Sequence, residues 1–357
     1  MKKVRFEIYV SVFLLGFCCA SRSNQLMVGT SATQTAETFE TITTQNVSRI
    51  KEVGKLFFPT PANGLNWVSA FAFSPNGKMF ACGDLLGLVT LFDTETKSEI
   101  SVFRGHSSMI LSVTFNPTGT LLASSSGDPD NLNPDNSVRL WDIASKTQVA
   151  QIDEAYKQLD LAFSPDGRTL ALAGFDGVVR LWDVDKQALK TEFKGHKNWV
   201  GRVQFGAYSD ILASSSGDGT IKLWNIKSGA LTQTLSVPDG TWGMAFKPNS
   251  SVLAAGENDT VSIWDSSNGT ELIRLAGYEG AVASVNFSPD GTLLVSDSGF
   301  ENPNHALFIW DLAQTTKTVL SGHTDIIETV LFSPDGKFIV SASRDDTLRF
   351  WGVTRES

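Results

Sequence analysis

Short segments in which apolar and polar residues alternate recur along most of the chain and predict β-strands rather than helices. The segment "VASVNFSPDG" is typical, because an alternating strand runs into a Ser-Pro-Asp-Gly turn. Proline sets one dihedral angle of such a turn and glycine permits a positive φ. The same turn recurs at 164, 288 and 333, with variants "SPNG" at 74 and "NPTG" at 116. Apolar residues at helical spacing are nowhere sustained, so the pattern indicates an all-β protein.

A second pattern closes each group of strands with an aromatic residue followed by a small or acidic one. The closing aromatic residues are Phe92, Trp141, Trp182, Trp224, Trp264, Trp310 and Trp351. Their successive spacings are 49, 41, 42, 40, 46 and 41 residues. A repeat of about forty residues with several strands in each unit predicts a β-propeller, here with seven blades.

The chain resembles the WD-repeat β-propeller family over about residues 48–357. "GH" at 105, 195 and 322 precedes three of the closing tryptophans, and Trp-Asp ends several units. The resemblance implies a seven-bladed β-propeller of four-stranded antiparallel sheets. "RIKEVGKLFF", residues 49–58, is similar to the outer strands "ALKTEF" and "SEISVF", and only six residues follow Trp351. We therefore expect residues 49–58 to supply a strand of the last blade and close the ring.

In WD-repeat proteins the His of "GH", a Ser or Thr, a turn Asp and the closing Trp form an internal hydrogen-bond set. The resemblance implies three such sets: His106, Asp135 and Trp141; His196, Asp218 and Trp224; His323, Asp345 and Trp351. The serine of the second set is one of residues 214–216. Ser, His and Asp also form hydrolase triads, but a nucleophile needs one activated site with an oxyanion hole. Since three copies around a ring do not provide this, we expect structural roles and no catalytic residue.

Four blades depart from the polar pattern, and we expect them to depend more on apolar packing. Blade 3 has the turn Asp without "GH", and blade 6 has a tyrosine in place of the histidine. Blade 3 keeps Asp176 as its turn Asp, and the residues that replace the expected ones are Leu86 and Phe92 in blade 1, Asn258 in blade 5, and Tyr278 and Asn304 in blade 6.

If the blades are structural, recognition falls to the loops on one face. In this family the "GH" loops and the Asp turns share a face, where the insertions 127–136 and 298–305 also lie. Residues at the entry to a first strand stand near that face: Trp67, Met109, Tyr156, Trp199, Trp242 and Ile326. Exposed aromatic residues are favoured anchors for protein partners. Packing against a neighbouring blade is the alternative, and the sequence leaves both open.

The first twenty residues have the pattern of a signal peptide. Positive charge at residues 2–5 precedes an apolar run at 8–17, which is short for a membrane span, and small residues follow at 18–20. An uncleaved membrane anchor and a cytoplasmic scaffold are the alternatives. Residues 21–47 are rich in Thr, Ser and Gln and predict a flexible linker. The chain therefore resembles an exported WD-repeat protein of the bacterial type.

The charge and cysteine content exclude several classes of function. The formal net charge is −9, with 29 basic and 38 acidic residues, and no basic run outside the first residues could bind nucleic acid. Removal of the signal peptide would leave Cys82 without a disulfide partner. We expect a monomer that contacts a membrane only through its N-terminus.

The sequence offers little support for a metal or cofactor site. His305 is the one histidine outside "GH", so a histidine-rich zinc site is not available. The insertion after blade 2's second strand offers oxygen donors, but a solvated polar turn is favoured over a calcium site because the spacing of a calcium loop is absent. The donors are Asp128, Asp130, Asn131, Asn133 and Asp135. The Gly-containing turns join strands and never open a helix, which excludes a phosphate loop.

These observations predict a non-enzymatic interaction scaffold that binds protein partners on the rim around a central channel, with no cofactor or metal. A propeller enzyme, or a small-ligand binder with its site at the channel mouth, is the alternative. Such a site generally needs converging histidines or carboxylates, and spare histidines are scarce.

Overall fold

The computed structural model describes residues 38–58, 66–128, 135–206, 210–238 and 240–355. These residues form a ring of seven antiparallel β-sheets, here called blades 1 to 7 in chain order. The fold is the predicted seven-bladed propeller, and each blade has four principal strands. The predicted signal peptide, residues 1–20, lies outside the described residues.

Two strands precede the first blade, separated by one turn of 3-10 helix at Val47–Arg49. They are β1 (Phe39–Glu40) and β2 (Lys51–Phe57). Blade 1 contains β3 (Val68–Phe73), β4 (Met79–Asp84), β5 (Val89–Asp93) and β6 (Glu99–Phe103). Blade 2 contains β7 (Ile110–Phe115), β8 (Leu121–Ser126), β9 (Val138–Asp142) and β10 (Thr147–Ile152). Blade 3 contains β11 (Gln158–Phe163), β12 (Thr169–Gly174), β13 (Val178–Asp183) and β14 (Ala188–Lys194).

The remaining blades follow the same order from the channel outward. Blade 4 contains β15 (Val200–Phe205), β16 (Ile211–Ser216), β17 (Thr220–Asn225) and β18 (Leu231–Ser236). Blade 5 contains β19 (Gly243–Phe246), β20 (Val252–Gly256), β21 (Asn258–Asp265) and β22 (Thr270–Ala281). Blade 6 contains β23 (Val285–Phe287), β24 (Leu293–Asp297), β25 (Leu307–Asp311) and β26 (Thr316–Leu320). Blade 7 contains β27 (Ile327–Phe332), β28 (Phe338–Ser343) and β29 (Thr347–Thr354).

The Ser-Pro-Asp-Gly turns join the first and second strands of a blade by side-chain hydrogen bonds. In blade 7, Asp335 accepts from the hydroxyl of Ser333 at 2.7 Å and from the N–H of Lys337 at 3.1 Å. Gly336 has a φ of 68°, which a residue with a Cβ rarely adopts. The turn therefore reverses the chain at a defined residue and sets the strand register.

The ring closes non-covalently through the N-terminal strand. β2 pairs with the outer edge of β29, with Leu56 opposite Leu348, and so takes the place of a fourth strand in blade 7. This confirms the expected closure. β1 extends the same edge, with Phe39 opposite Thr354. The predicted linker 21–47 is therefore wrong for its last residues, because Ile42 is buried in the core beside blade 7; residues 21–37 lie outside the described part.

Both ends of the described chain meet on one face of the ring. The N–H of Arg355 donates to the carbonyl of Thr38 at 3.0 Å. β29 begins just after Arg344, at the face where the loops line the channel, and ends at the opposite face beside the turn of Gly336. The chain thus enters and leaves the ring on the face away from those loops.

The hydrophobic core lies between blades rather than within them. Leu56 of β2, Phe80 of blade 1 and Val340 of blade 7 belong to one buried cluster. Small residues on the second strands, such as Ala123 and Ala213, are completely buried and let neighbouring sheets approach. Since each cluster is shared by neighbours, an isolated blade could not bury its faces. Among the described residues, no helix has the length and apolar character needed to cross a membrane.

Candidate functional site

A cavity of about 760 Å³ occupies the central channel and opens on the face that carries the loops before the first strands. Its walls are the first strands of the blades. Six blades each place one large apolar side chain at its mouth, and we call this set the collar. The collar residues are Trp67, Met109, Phe175, Trp242, Phe300 and Ile326. A cavity of this size and composition is in the range of ligand and peptide side-chain sites.

Loop geometry places the collar residues. Trp67, Met109, Trp242 and Ile326 directly precede the first strands of their blades, while Phe175 follows the second strand of blade 3. Because all of these strand ends meet at one face of the ring, residues distant in sequence surround a single opening. The collar therefore depends on ring closure.

Two of the six predicted rim residues do not line the cavity. Trp199 is 6% exposed and stacks on Trp242 of the next blade, with ring centroids 4.1 Å apart. It lies against Gly217, where an added Cβ would come within 2.5 Å of the indole. Tyr156 is 51% exposed but stands outside the cavity wall. Trp199 therefore packs against Trp242 of the neighbouring blade.

Two collar residues, Phe175 and Phe300, were not predicted from the sequence. Both stand in loops after a second strand, in "AGFDG" and "DSGFEN". The predicted rim residues stand before first strands, on the other side of the loops. An aromatic residue next to the turn position of a repeat is the signal that could have found them.

Three basic residues at the mouth, here called the mouth cations, are Lys157, Arg202 and Arg344. Arg344 pairs with Glu328 and lies over the ring of Trp67 at 5.5 Å. The ammonium of Lys157 lies 4.5 Å from the ring of Phe175. Cation–π contacts of this kind hold aromatic side chains in place at a surface.

Arg202 takes part in a link between blades inside the channel. Its Nη1 lies 3.4 Å from Asp160, and its Nε–H donates to the carbonyl of Trp242 at 3.0 Å. Asp160 also accepts from Ser112 of blade 2 and from the N–H of Val203 of blade 4. One carboxylate thus joins three blades beneath the collar.

The predicted polar sets lie inside the blades, away from the cavity. In blade 4, His196 Nδ1 is 3.0 Å from Asp218 and its Nε2 is 2.8 Å from Ser214 Oγ. Trp224 donates its indole N–H to the same Oγ at 2.8 Å. Since a carboxylate only accepts, His196 carries its proton on Nδ1 and accepts the serine hydroxyl at Nε2.

The other two sets repeat this geometry. His106 contacts Asp135 and Ser124, to which Trp141 donates, and His323 contacts Asp345 and Ser341, to which Trp351 donates. The side chains of all three histidines are fully buried. No reacting group of a substrate could reach such a serine without opening the blade, so the arrangement is suited to stability rather than to nucleophilic attack.

Burial and hydrogen bonding shift the pKa values of these groups. Burial lowers the pKa of His106 and His196 below the usual histidine value, and the adjacent Asp opposes this only in part. Burial alone would raise the pKa of Asp135. Hydrogen bonds from His106, Ser137 and the N–H of Ser107 outweigh it and hold that pKa well below its usual range. In blades 2 and 4 the polar set thus holds a neutral imidazole beside a carboxylate at neutral pH.

Blades 5 and 6, which we expected to depend more on apolar packing than on a polar set, also contain polar sets built from other residues. In blade 6, Trp310 donates to Tyr278 Oη at 2.7 Å, which is 2.9 Å from Ser296 Oγ. In blade 5, Trp264 donates to Ser262 on its own strand at 2.7 Å. The hydroxyl of Ser262 in turn donates to Glu257. Asn258 and Asn304 take no part in these sets.

Blade 3 replaces the histidine by an ion cluster. Glu154 and Asp176 both pair with the guanidinium of Arg180, at 3.3 and 2.6 Å. The indole N–H of Trp182 is buried and has no hydrogen-bond partner among the described residues. Blade 1 behaves as expected, since Phe92 stacks on Phe80 with ring centroids 4.9 Å apart. In place of Leu86, Asp84 accepts the turn N–H groups there.

Comparison with known proteins identifies the family. Residues 51–299 match the family model described as "IFT122 first beta-propeller", which covers more than half of the chain. Residues 314–352 match "WD domain, G-beta repeat". The chain belongs to the WD-repeat β-propeller family.

Individual WD-repeat relatives are distant. The guanine nucleotide-binding protein subunit beta of Oryza sativa subsp. japonica is 26% identical over 284 residues, which is 71% of each chain. Protein tipD of Dictyostelium discoideum is 30% identical over 194 residues, 53% of this chain and 30% of its own length. Apoptotic protease-activating factor 1 of Danio rerio is 28% identical over 240 residues, 66% of this chain and 18% of its own length. All three are eukaryotic, and none of these similarities bears on export.

We looked for metal ligands among the described residues of this WD-repeat propeller. They contain no group of three or more His, Cys, Asp or Glu side chains placed to hold a metal ion. Of the oxygen donors in the blade 2 insertion, Asp130, Asn131 and Asn133 lie outside the described residues. Asp135 belongs to the polar set of His106.

Proposed function

We propose that this WD-repeat propeller is a non-enzymatic protein-interaction scaffold whose partner binds over the mouth of the central channel. The collar is the main observation behind this proposal, because six blades each place a large apolar side chain around one opening. Aromatic, methionine and arginine side chains in a partly desolvated setting are the residues that dominate binding energy at protein interfaces.

The side chains that could react form hydrogen bonds within the blades, which supports a binding role over a catalytic one. The three "GH" histidines and their serines are consumed by the polar sets, and the mouth cations contact carboxylates or rings. The name of one relative also supports a binding role, since that relative is called a subunit of a guanine nucleotide-binding protein. The scaffold acts as a monomer in this proposal and needs no cofactor.

Replacement of two collar residues tests the proposal. Met109→Asp together with Ile326→Asp introduces charge at the mouth, where both side chains are partly exposed, so the fold should survive. We expect affinity capture with this variant to lose the partners that the unchanged protein retains. The loss should exceed tenfold, because burying an unpaired carboxylate in an interface costs several kcal/mol.

A matched control places the same charges elsewhere. Leu189 and Leu231 are exposed, at 49% and 45%, on the outer strands of blades 3 and 4. Leu189→Asp with Leu231→Asp should leave capture unchanged. If both variants retain the partners, or if both lose them equally, the mouth is not the binding site.

We also propose that residues 1–20 direct export and are removed, with membrane attachment through an uncleaved segment as the alternative. The charged, apolar and small-residue order supports this. The mass of the protein purified from its own cells decides between them. A mass lower by about twenty residues is expected, and an intact N-terminus in a soluble cytosolic fraction would contradict export.

A further inference from the structure

The mouth of the channel is unevenly charged. Three residues with carboxylate side chains, Asp259, Glu279 and Glu301, stand where blades 5 and 6 meet, and we call them the acidic corner. Asp259 Oδ1 accepts the N–H of Gly280 at 2.8 Å, and the N–H of Glu301 donates to the carbonyl of Glu279 at 3.0 Å. Backbone contacts therefore hold the three together, and Asp259 and Glu301 line the cavity itself.

Two members of the acidic corner, Asp259 and Glu279, carry negative charge that the mouth cations leave uncompensated. Each mouth cation already contacts a carboxylate or an aromatic ring, as described above. Within the described residues, neither Asp259 nor Glu279 has a salt-bridge partner, and both are exposed. Exposed carboxylates beside an apolar opening attract a cation across about one Debye length, roughly 8 Å at physiological salt.

We propose that the partner presents an extended peptide segment in which a large apolar side chain is flanked by lysine or arginine. The apolar side chain enters the cavity inside the collar, and the basic side chain lies on the acidic corner. This inference rests on the proposed function and specifies the chemistry of the partner at the same site.

The dimensions and charges of the site fit this occupant. A cavity of about 760 Å³ holds one or two large side chains, and the apolar collar removes their surface from water. The exposed carboxylates then select among apolar segments by charge, since like charges across an interface are repelled. An acidic segment would meet the same corner unfavourably.

Selection from a phage-displayed library of random decapeptides tests the proposal, with the unchanged propeller immobilised. We expect enriched peptides to contain a large apolar residue with Lys or Arg within a few positions. Their affinity should fall as the salt concentration rises. It should also fall about tenfold in a variant with Asp259→Lys and Glu279→Lys, because the basic side chain of the peptide then meets two lysines in place of two carboxylates.

Two further variants separate this inference from the proposed function. Glu95→Lys with Asp185→Lys reverses two exposed carboxylates in turns on the opposite face and changes the net charge equally; it should bind normally. The collar variant Met109→Asp with Ile326→Asp should lose all selected peptides. Peptides that need the collar but show no preference for basic residues overturn the inference and leave the proposed function standing. Peptides indifferent to the collar, or no enrichment at all, overturn the peptide site itself.

Discussion

Ser124 and Ser125 are neighbours on β8 and both are fully buried, but they differ in their hydrogen bonding. Ser124 Oγ is 2.8 Å from His106 Nε2 and accepts the indole N–H of Trp141 at 2.8 Å. Ser125 Oγ has no hydrogen-bond partner among the described residues. Successive residues of a strand face opposite neighbours, so only one of the two can complete the polar set of blade 2.

The two serines form a matched pair of substitutions. Ser124→Ala leaves two buried polar groups unpaired, and we expect it to lower the free energy of unfolding by about 2–4 kcal/mol. Ser125→Ala removes a hydroxyl that makes no bond and should change it by less than about 1 kcal/mol. Urea denaturation of both variants measures the difference. Equal losses would mean that the polar set contributes nothing specific.

Asp84 is a buried carboxyl whose titration should be visible in stability. Burial raises its pKa to about 6, against the hydrogen bonds from Leu86, Leu88 and Asn66. The unfolded chain has the ordinary value of 3.8, so the folded state binds more protons between these two pH values. This group therefore destabilises the fold progressively as the pH rises from about 4 to about 6.

Asp84→Asn removes that charge and keeps an oxygen for the N–H groups of Leu86 and Leu88. We expect the free energy of unfolding of the variant to exceed that of the unchanged protein by about 1–3 kcal/mol at pH 8 and to differ little from it near pH 4. Denaturant titrations at the two pH values measure this. A difference independent of pH would contradict the assignment.

β2 is the element on which the ring depends, because it comes from one end of the sequence and completes a sheet made by the other. It buries Leu56 in the core between blades 7 and 1, and Glu52 pairs with Arg349 of β29 at 2.7 Å. Without β2, β29 would have an unpaired edge and blade 7 would lose part of its shared core.

Deleting residues 48–58 should therefore destabilise the whole ring rather than one blade. We expect a melting temperature lower by at least 10 °C, or failure to fold, as measured by circular dichroism. Removing residues 38–41, which carry the two-residue strand β1, the ring contact of Phe39 with Phe338 and the exposed pair of Glu40 with Arg49, should have a smaller effect. A shortened protein that melted at the original temperature would rule out closure by β2.

Sequence patterns predicted the elements well because strands, turns and β2 follow from local alternation and from Pro and Gly. The polar interiors of blades 5 and 6 could not be predicted in the same way. Trp264 finds its acceptor in Ser262, a residue of its own strand, and Trp310 finds its acceptor in Tyr278, which replaces the histidine of blade 6. An indole N–H needs only an acceptor at the right distance, so a search for one residue type misses the substitutes.

At the scale of the whole molecule, hydrogen bonds between first strands join consecutive blades around the channel. Ser69 Oγ donates to the carbonyl of Ile110 at 2.6 Å, and the N–H of Val330 donates to Ser284 Oγ at 3.0 Å. These contacts hold the collar residues in position from beneath. The collar itself could be predicted only in part, because whether Trp199 is exposed depends on the space over Gly217, which no local pattern reveals.

The contact between residues 38 and 355 determines where a label, a fused module or a surface can be attached to the ring. Because Arg355 and Thr38 are hydrogen-bonded on the face away from the collar, anything joined to either end of the ring projects from the rear. A fluorophore, a fused module or a sensor surface attached there would leave the channel opening accessible from the front.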